Sequence, residues 1–138
     1  MNTHEIKFRT WFKPHNSWIN SVVVGDHGDI FCYTVSLDKE EKDVNNRVKH
    51  NIFYIKKEDA IIEFWTGLKD KNGKEIYEGD ICTGLWDGEL DYSKQKVVIE
   101  FKNAAFVETY FGYAIGFIGK RSQLEVIGNI YENVELLK

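Results

Sequence analysis

The chain reads as a mainly β protein, and three observations predict it. Aromatic residues make up 14% of the 138 positions, and aromatic and β-branched side chains suit the pleated, half-buried surface of a sheet. Short runs rich in such residues recur between turns containing Gly, Asn or Asp. No stretch sustains a 3.6-residue apolar period long enough for a core helix. One Pro and 11 Gly leave most turns to Gly, Asn and Asp.

Taken in order, "EIKFRTWF" alternates, with Ile6, Phe8, Thr10 and Phe12 on one face and Lys7, Arg9 and Trp11 on the other. That period predicts a half-buried first strand. "KPHNS" holds the only Pro and reads as a turn. "WINSVVV" (Trp18 to Val24), "GDHG" and "DIFCYTV" (Asp29 to Val35) then predict strand, tight turn and strand. Asp38 to Lys49 is charged and poor in large apolar residues, which reads as a solvated loop or one short helix. "NIFYIK" and "IIEFW" follow as strands, interrupted around Lys57 to Ala60. "DICTGLW" (Asp80 to Trp86) is a strand before an acidic hairpin loop, "DGELDYSK" (Asp87 to Lys94). "QKVVIEF", "AFVETYF", "YAIGFI" and "LEVIGNI" complete the set. Strands with short turns at this spacing predict a small barrel or sandwich.

"TGLKDKNGKEIYEGDI", Thr66 to Ile81, is the most organised stretch. Asp70-Lys71-Asn72-Gly73 suits a tight turn in which Asp70 accepts from the turn amides and Gly73 takes a positive φ. Leu68 and Ile76 are then expected to face the core. A calcium loop is excluded, because Lys74 falls where a ligand is needed and Glu75 where the loop requires Gly. In "YEGDI", Gly79 permits a sharp turn, Asp80 caps the amides it exposes, and Ile81 enters the core. Glu75, Glu78 and Asp80 read as a solvated edge and not as an acid/base set, since no His or Lys pairs with them in sequence.

At these residues a resemblance enters. "TGLKDKNGKEIYEGDI" with "VIGNIYEN" (Val126 to Asn133) resembles the YopX family of phage and prophage proteins of unknown function, and "EIKFRTW" resembles that family's opening strand. The motifs cover about a quarter of the chain, in the family's order. Phe12 stands where an Asp is common, and Val134 where a Pro often follows the Asn; both changes touch only local turns. The resemblance implies an SH3-like β-barrel over residues 63–138, preceded by a variable β-containing part over 1–62, the two packing as one globular unit or not. It also implies a phage or prophage origin, and it carries no catalytic or binding residues.

Composition narrows function mainly by exclusion. Apolar residues at 43% and charged residues at 29% describe a folded, soluble chain. The N-terminus lacks the apolar core of a signal peptide, and Tyr110 to Gly119 is too short to span a bilayer as a helix. A cytoplasmic location in the bacterial host follows. Cys32 and Cys82 are expected to be buried, reduced thiols. His4, His15, His27 and His50 form no metal-ligand spacing, so no metal or cofactor is expected. "GYAIGFIGKRS" fails as a phosphate loop, because Ala114 stands where the first Gly is required; glycines 112, 116 and 119 instead mark bends or bulges.

The sequence therefore points to a non-enzymatic accessory or interaction module with no catalytic, cofactor-binding or metal residues. The alternative is a nucleic-acid-binding barrel in phage replication or gene control. Its candidate basic residues are Lys7, Arg9 and Lys13 beside Trp11, and Lys94, Lys96, Lys102, Lys120 and Arg121. The net charge of −4 speaks against a dedicated binder without excluding a local patch. A homo-oligomer, with a dimer favoured, is expected from the weakly protected segment Ala105 to Ile118, and a phage or host protein is a further partner.

Overall fold

The computed structural model describes residues 7–34, 51–83, 95–118 and 124–138. Its regular elements there are β-strands and short 3₁₀ turns, so the chain is mainly β as the sequence predicts. Among the described residues no helix is long and apolar enough to cross a membrane. The fold divides into two compact units, one of Arg9–Ile62 and one of Glu63–Lys138 joined by Lys7 and Phe8. The expected segments Asp38 to Lys49 and Asp87 to Lys94 lie outside the described residues, as do His4, His50, Lys120 and Arg121.

β1 (Phe8–Phe12), which belongs to the first unit from Arg9 onward, pairs antiparallel with β2 (Ser17–Ile19), with Trp11 opposite Trp18. Pro14 lies in the 3₁₀ turn Lys13–His15, which Asn16 ends at φ 50. The alternation placed Trp11 on the polar face, but the residue is only 4% exposed. Its ring packs edge-on against Trp18 at 5.0 Å, and the Arg9 guanidinium lies 4.4 Å from the centre of the Trp18 ring. An indole carries too much apolar surface to leave in water when a cross-strand ring can cover it.

"WINSVVV" is not one strand. Ser21 takes φ 58, which breaks the extended run into β2 and β3 (Val22–Val24). β3 pairs with β4 (Ile30–Thr34), and β4 with β5 (Asn51–Ile55), all antiparallel. The 3₁₀ turn Lys57–Asp59 supplies the interruption expected before β6 (Ala60–Lys69).

The second unit contains the hairpin of β6 and β7 (Glu75–Tyr77) and a five-stranded antiparallel sheet. The sheet comprises β8 (Asp80–Thr83), β9 (Lys96–Lys102), β10 (Ala105–Tyr110), β11 (Tyr113–Phe117) and β12 (Glu125–Asn129). Its order is β11-β10-β9-β8-β12, and it curls as a half-barrel. Cys82 lies on β8, opposite Val97 of β9 on one side and Val126 of β12 on the other. Ile76, Cys82, Val97, Ile99, Ile118 and Leu124 form the core, and Phe106 and Val126 pack against it. Each buried Ile or Leu there contributes about 2–3 kcal/mol relative to exposure.

Two further expectations change. Leu68 does not face the core; it is exposed, because the β6–β7 register shifts between Trp65 and Lys69 and Gly67 takes φ +85. The bulge is held by the Thr66 hydroxyl, which donates to the Ile76 carbonyl at 2.8 Å and accepts the Leu68 N–H at 3.2 Å. Both cysteines are thiols, but only Cys82 is fully buried; Cys32 is half-buried on β4. Burial, with the Asp80, Glu108 and Asp70 carboxylates nearby, pushes the Cys82 thiol far above its ordinary range, which keeps it protonated and inert.

Candidate functional site

The organised stretch Thr66 to Ile81 is architecture. Asp70 Oδ1 accepts the Asn72 N–H at 2.8 Å and the Lys74 N–H at 2.9 Å, while Oδ2 accepts the Val126 N–H at 3.0 Å. The Gly73 N–H donates to the Asp70 carbonyl at 3.0 Å, and Gly73 takes the expected positive φ of +83. One carboxylate thus closes the hairpin and ties it to β12. Burial alone would push this carboxyl up, but the three backbone bonds and the Lys74 charge hold it below the usual range.

Nothing lies within 4 Å of a Cβ added at Gly73, so substitution there meets strain and no clash. Gly73→Val should therefore cost about 1–3 kcal/mol through its left-handed backbone alone. An unchanged melting temperature would show that the turn relaxes freely.

"YEGDI" and "VIGNIYEN" interlock. Asp80 Oδ2 accepts the Tyr77 N–H at 2.8 Å, and Ile81 is fully buried, as the sequence predicts. Gly79 donates to the Ile99 carbonyl at 2.7 Å and accepts the Ile130 N–H at 3.0 Å. Beside it Asn129 donates to Glu63, with oxygens at 3.2 and 3.4 Å, and accepts the Tyr131 N–H at 2.9 Å. Asn133 Oδ1 in turn accepts the Asn129 N–H at 3.1 Å. The two motifs are spent on joining β8 to β12.

The remaining carboxylates divide. Glu75 accepts from Lys7 at 2.7 Å and from the Tyr77 hydroxyl at 2.9 Å; these bonds, Lys7 first, hold its carboxyl below the usual range. Lys7 also lies 4.8 Å over the Trp65 ring, so this first-strand lysine is already engaged. Among the described residues, no group of three His, Cys, Asp or Glu side chains is placed to hold a metal ion.

A groove of about 500 Å³ does open on the second unit, beside the sheet. Lys96 and Val98 of β9, Thr109 of β10 and Phe111 line it, with Leu136 of the 3₁₀ turn Val134–Leu137 and Lys138, which ends that turn. Gln95, Tyr110 and Gly112 complete much of the rest, and no carboxylate side chain lines it. Thr109 is buried and its hydroxyl donates to the Val98 carbonyl at 3.1 Å, which fixes the floor. Lys102 is turned elsewhere, to Glu100 at 2.9 Å and the Gly112 carbonyl at 3.1 Å.

Phe111 is the unusual residue. The β10–β11 hairpin pairs Tyr110 with Tyr113, leaving Phe111 and Gly112 as a two-residue loop at φ 48 and 81. Positive φ at both positions is the type I′ pattern, whose first place favours Asn or Asp. Here a Phe occupies it, 80% exposed, with its ring 4.4 Å from that of Tyr110. Gly112 lies in a turn, in line with the bend its sequence predicts, and the local sign of the groove is "FG" where a hairpin favours "NG".

Beyond that turn, β11 pairs with β10 alone among the described strands. Its sequence, "YAIGF", carries no charge and no Pro, and Tyr113 is 78% exposed. A bulge beside Gly116 shifts its register, as the spacing of glycines suggests.

Among solved structures, the chain is similar to the crystal structure of protein EF1440 from Enterococcus faecalis. Identity there is 26%, with a TM-score of 0.59 over 99% of this chain and 100% of that one. It is also similar in fold to protein yopX from Bacillus subtilis, at 19% identity and a TM-score of 0.56 over 95% of this chain and 97% of that one. No curated protein matches it. The family described as YopX protein matches residues 7–138, nearly the whole length. The chain belongs to the YopX family.

Proposed function

We propose that this protein is a phage- or prophage-encoded, non-enzymatic interaction module that works in the bacterial cytoplasm and associates with itself through β11. The observation that carries this reading is the uncharged edge of that strand, with Tyr113 and Ile115 exposed along it. Soluble proteins usually guard such edges with a charge, a Pro or a covering loop, because unpaired amides and carbonyls seek a partner strand. Antiparallel pairing of β11 with its own copy across a two-fold axis satisfies both edges at once, and closed dimers are the commonest assembly. The non-enzymatic part is supported by how the motif carboxylates are used: Asp70 and Asp80 hold backbone amides, and Glu75 holds Lys7 and Tyr77. The phage origin rests on the family.

Light scattering after gel filtration at micromolar concentration tests the dimer. The expected result is a species of twice the 16.1 kDa chain mass, shifted to monomer by Ile115→Lys with the thermal melt retained. A wild-type monomer would overturn self-association, and an Ile115→Lys dimer would overturn its assignment to this edge.

A further inference from the structure

The groove beside the sheet carries a second inference, which goes beyond self-association and does not use the outer edge of β11. Its volume of about 500 Å³ lies in the range of small-molecule sites. Its lining departs from the charge of the whole chain, which is −4: Lys96 and Lys138 line it and no acidic side chain does, the α-carboxylate of Lys138 offsetting one of the two charges. Neither ammonium is engaged by a carboxylate among the described residues. The register places Thr109 opposite Val98, and Lys96 and Phe111 both line the groove beyond that pair.

Phe111 is unfavourable there on two counts. A left-handed backbone at a bulky residue stores strain, and residues held so cluster at ligand sites. An exposed ring also leaves its apolar surface in water. Asn at this position would relieve both. The features that remain are a flat aromatic face, an amide at Gln95 and two ammonium groups, all on one wall-to-wall opening.

We propose that this groove binds a nucleotide unit, with the base stacked on Phe111 and the phosphate held by Lys96 and Lys138. Stacking on an aromatic side chain beside a basic groove is the mode by which proteins take single-stranded nucleic acid without reading its sequence. A volume of about 500 Å³ suits a ligand of one nucleotide's size, and a duplex, whose bases are already stacked, offers no free base face to Phe111. A free nucleotide and a nucleotide within a single strand share this chemistry, and the test separates them.

Fluorescence anisotropy with a labelled twelve-residue oligo-dT at low salt, and calorimetric titration with a free nucleoside monophosphate, are run on the full chain. Binding of the oligonucleotide is expected, weakening with salt at a log–log slope of roughly −0.7 for the one phosphate held. Tighter binding of the oligonucleotide than of the monophosphate assigns the site to a strand; equal binding assigns it to the free nucleotide. Phe111→Asn should weaken binding at least about tenfold, while the melting temperature stays the same or rises. Lys96→Gln should weaken it less than Phe111→Asn does and flatten the salt dependence. No binding of either probe at about 100 μM would overturn the proposal. So would binding that Phe111→Asn leaves unchanged, or equal binding of poly-glutamate, which would show a site for any polyanion.

Discussion

Gly79→Ala is expected to cost about 4 kcal/mol, lowering the melting temperature by about 12 °C or more for a chain of this size. Gly79 holds φ +79, and a side chain there adds about 1 kcal/mol of backbone strain. The larger share is steric. An added Cβ overlaps Glu63 Oε1, and lies 2.9 Å from its Cδ and 3.3 Å from Asn129 Nδ2. The backbone cannot withdraw, because its N–H is bound to Ile99 and its carbonyl to Ile130. Glu63 must therefore leave Asn129, and Glu63 is only 2% exposed. Disrupting a buried polar pair costs about 3 kcal/mol. Repeating the substitution in a Glu63→Ala background separates the two shares: with the carboxylate gone, only about 1 kcal/mol of strain remains. A loss under 2 kcal/mol in the wild-type background would show that the Glu63 side chain has room to swing aside.

How far the sequence discloses this protein depends on the range of the interaction concerned. Turn chemistry is local, so "DKNG" and "YEGD" announced the left-handed Gly73, the Asp80 cap and the burial of Ile81 directly. Strand periodicity is also local, and most strands fell where alternating or apolar runs placed them. Leu68 failed because a bulge inverts every later side chain, and the bulge is built by Thr66 with Ile76 across the hairpin. Trp11 failed because its cover, Trp18, comes from the next strand.

The same reasoning explains why the site was the least legible part. The motif residues that look chemical, Asp70, Glu75 and Asp80, turn out to bind backbone or a structural lysine. The groove instead assembles Lys96, Phe111 and Lys138 from one strand, a hairpin loop and the last residue after the final turn, none of which looks chemical alone. Only the misfit of Phe111 with its own turn was written locally.

Asp70→Ala is the second large effect, at about 3–4 kcal/mol. Asp70 is 8% exposed, and its two oxygens serve the amides of Asn72, Lys74 and Val126. Truncation orphans three donors in a site that water barely reaches, at about 1–3 kcal/mol for each donor that stays unpaired, less what relaxation recovers. Asn is expected to cost about half as much, because its oxygen keeps one set of bonds while its NH₂ faces an amide donor. The pH dependence identifies the cause. The unfolded chain takes up this proton near the ordinary value of 3.8, whereas the folded carboxyl holds out to lower pH. Between those values the unfolded state binds more protons, so the wild type loses stability as pH falls. The contribution is complete above roughly pH 5 and is gone once the folded carboxyl is protonated. The gap in melting temperature between wild type and Asp70→Ala should therefore be widest at neutral pH and narrow as the pH drops through 3.8. A gap that stayed constant down to about pH 2 would mean that the loss comes from packing, and that the Asp70 charge does not hold the hairpin to β12.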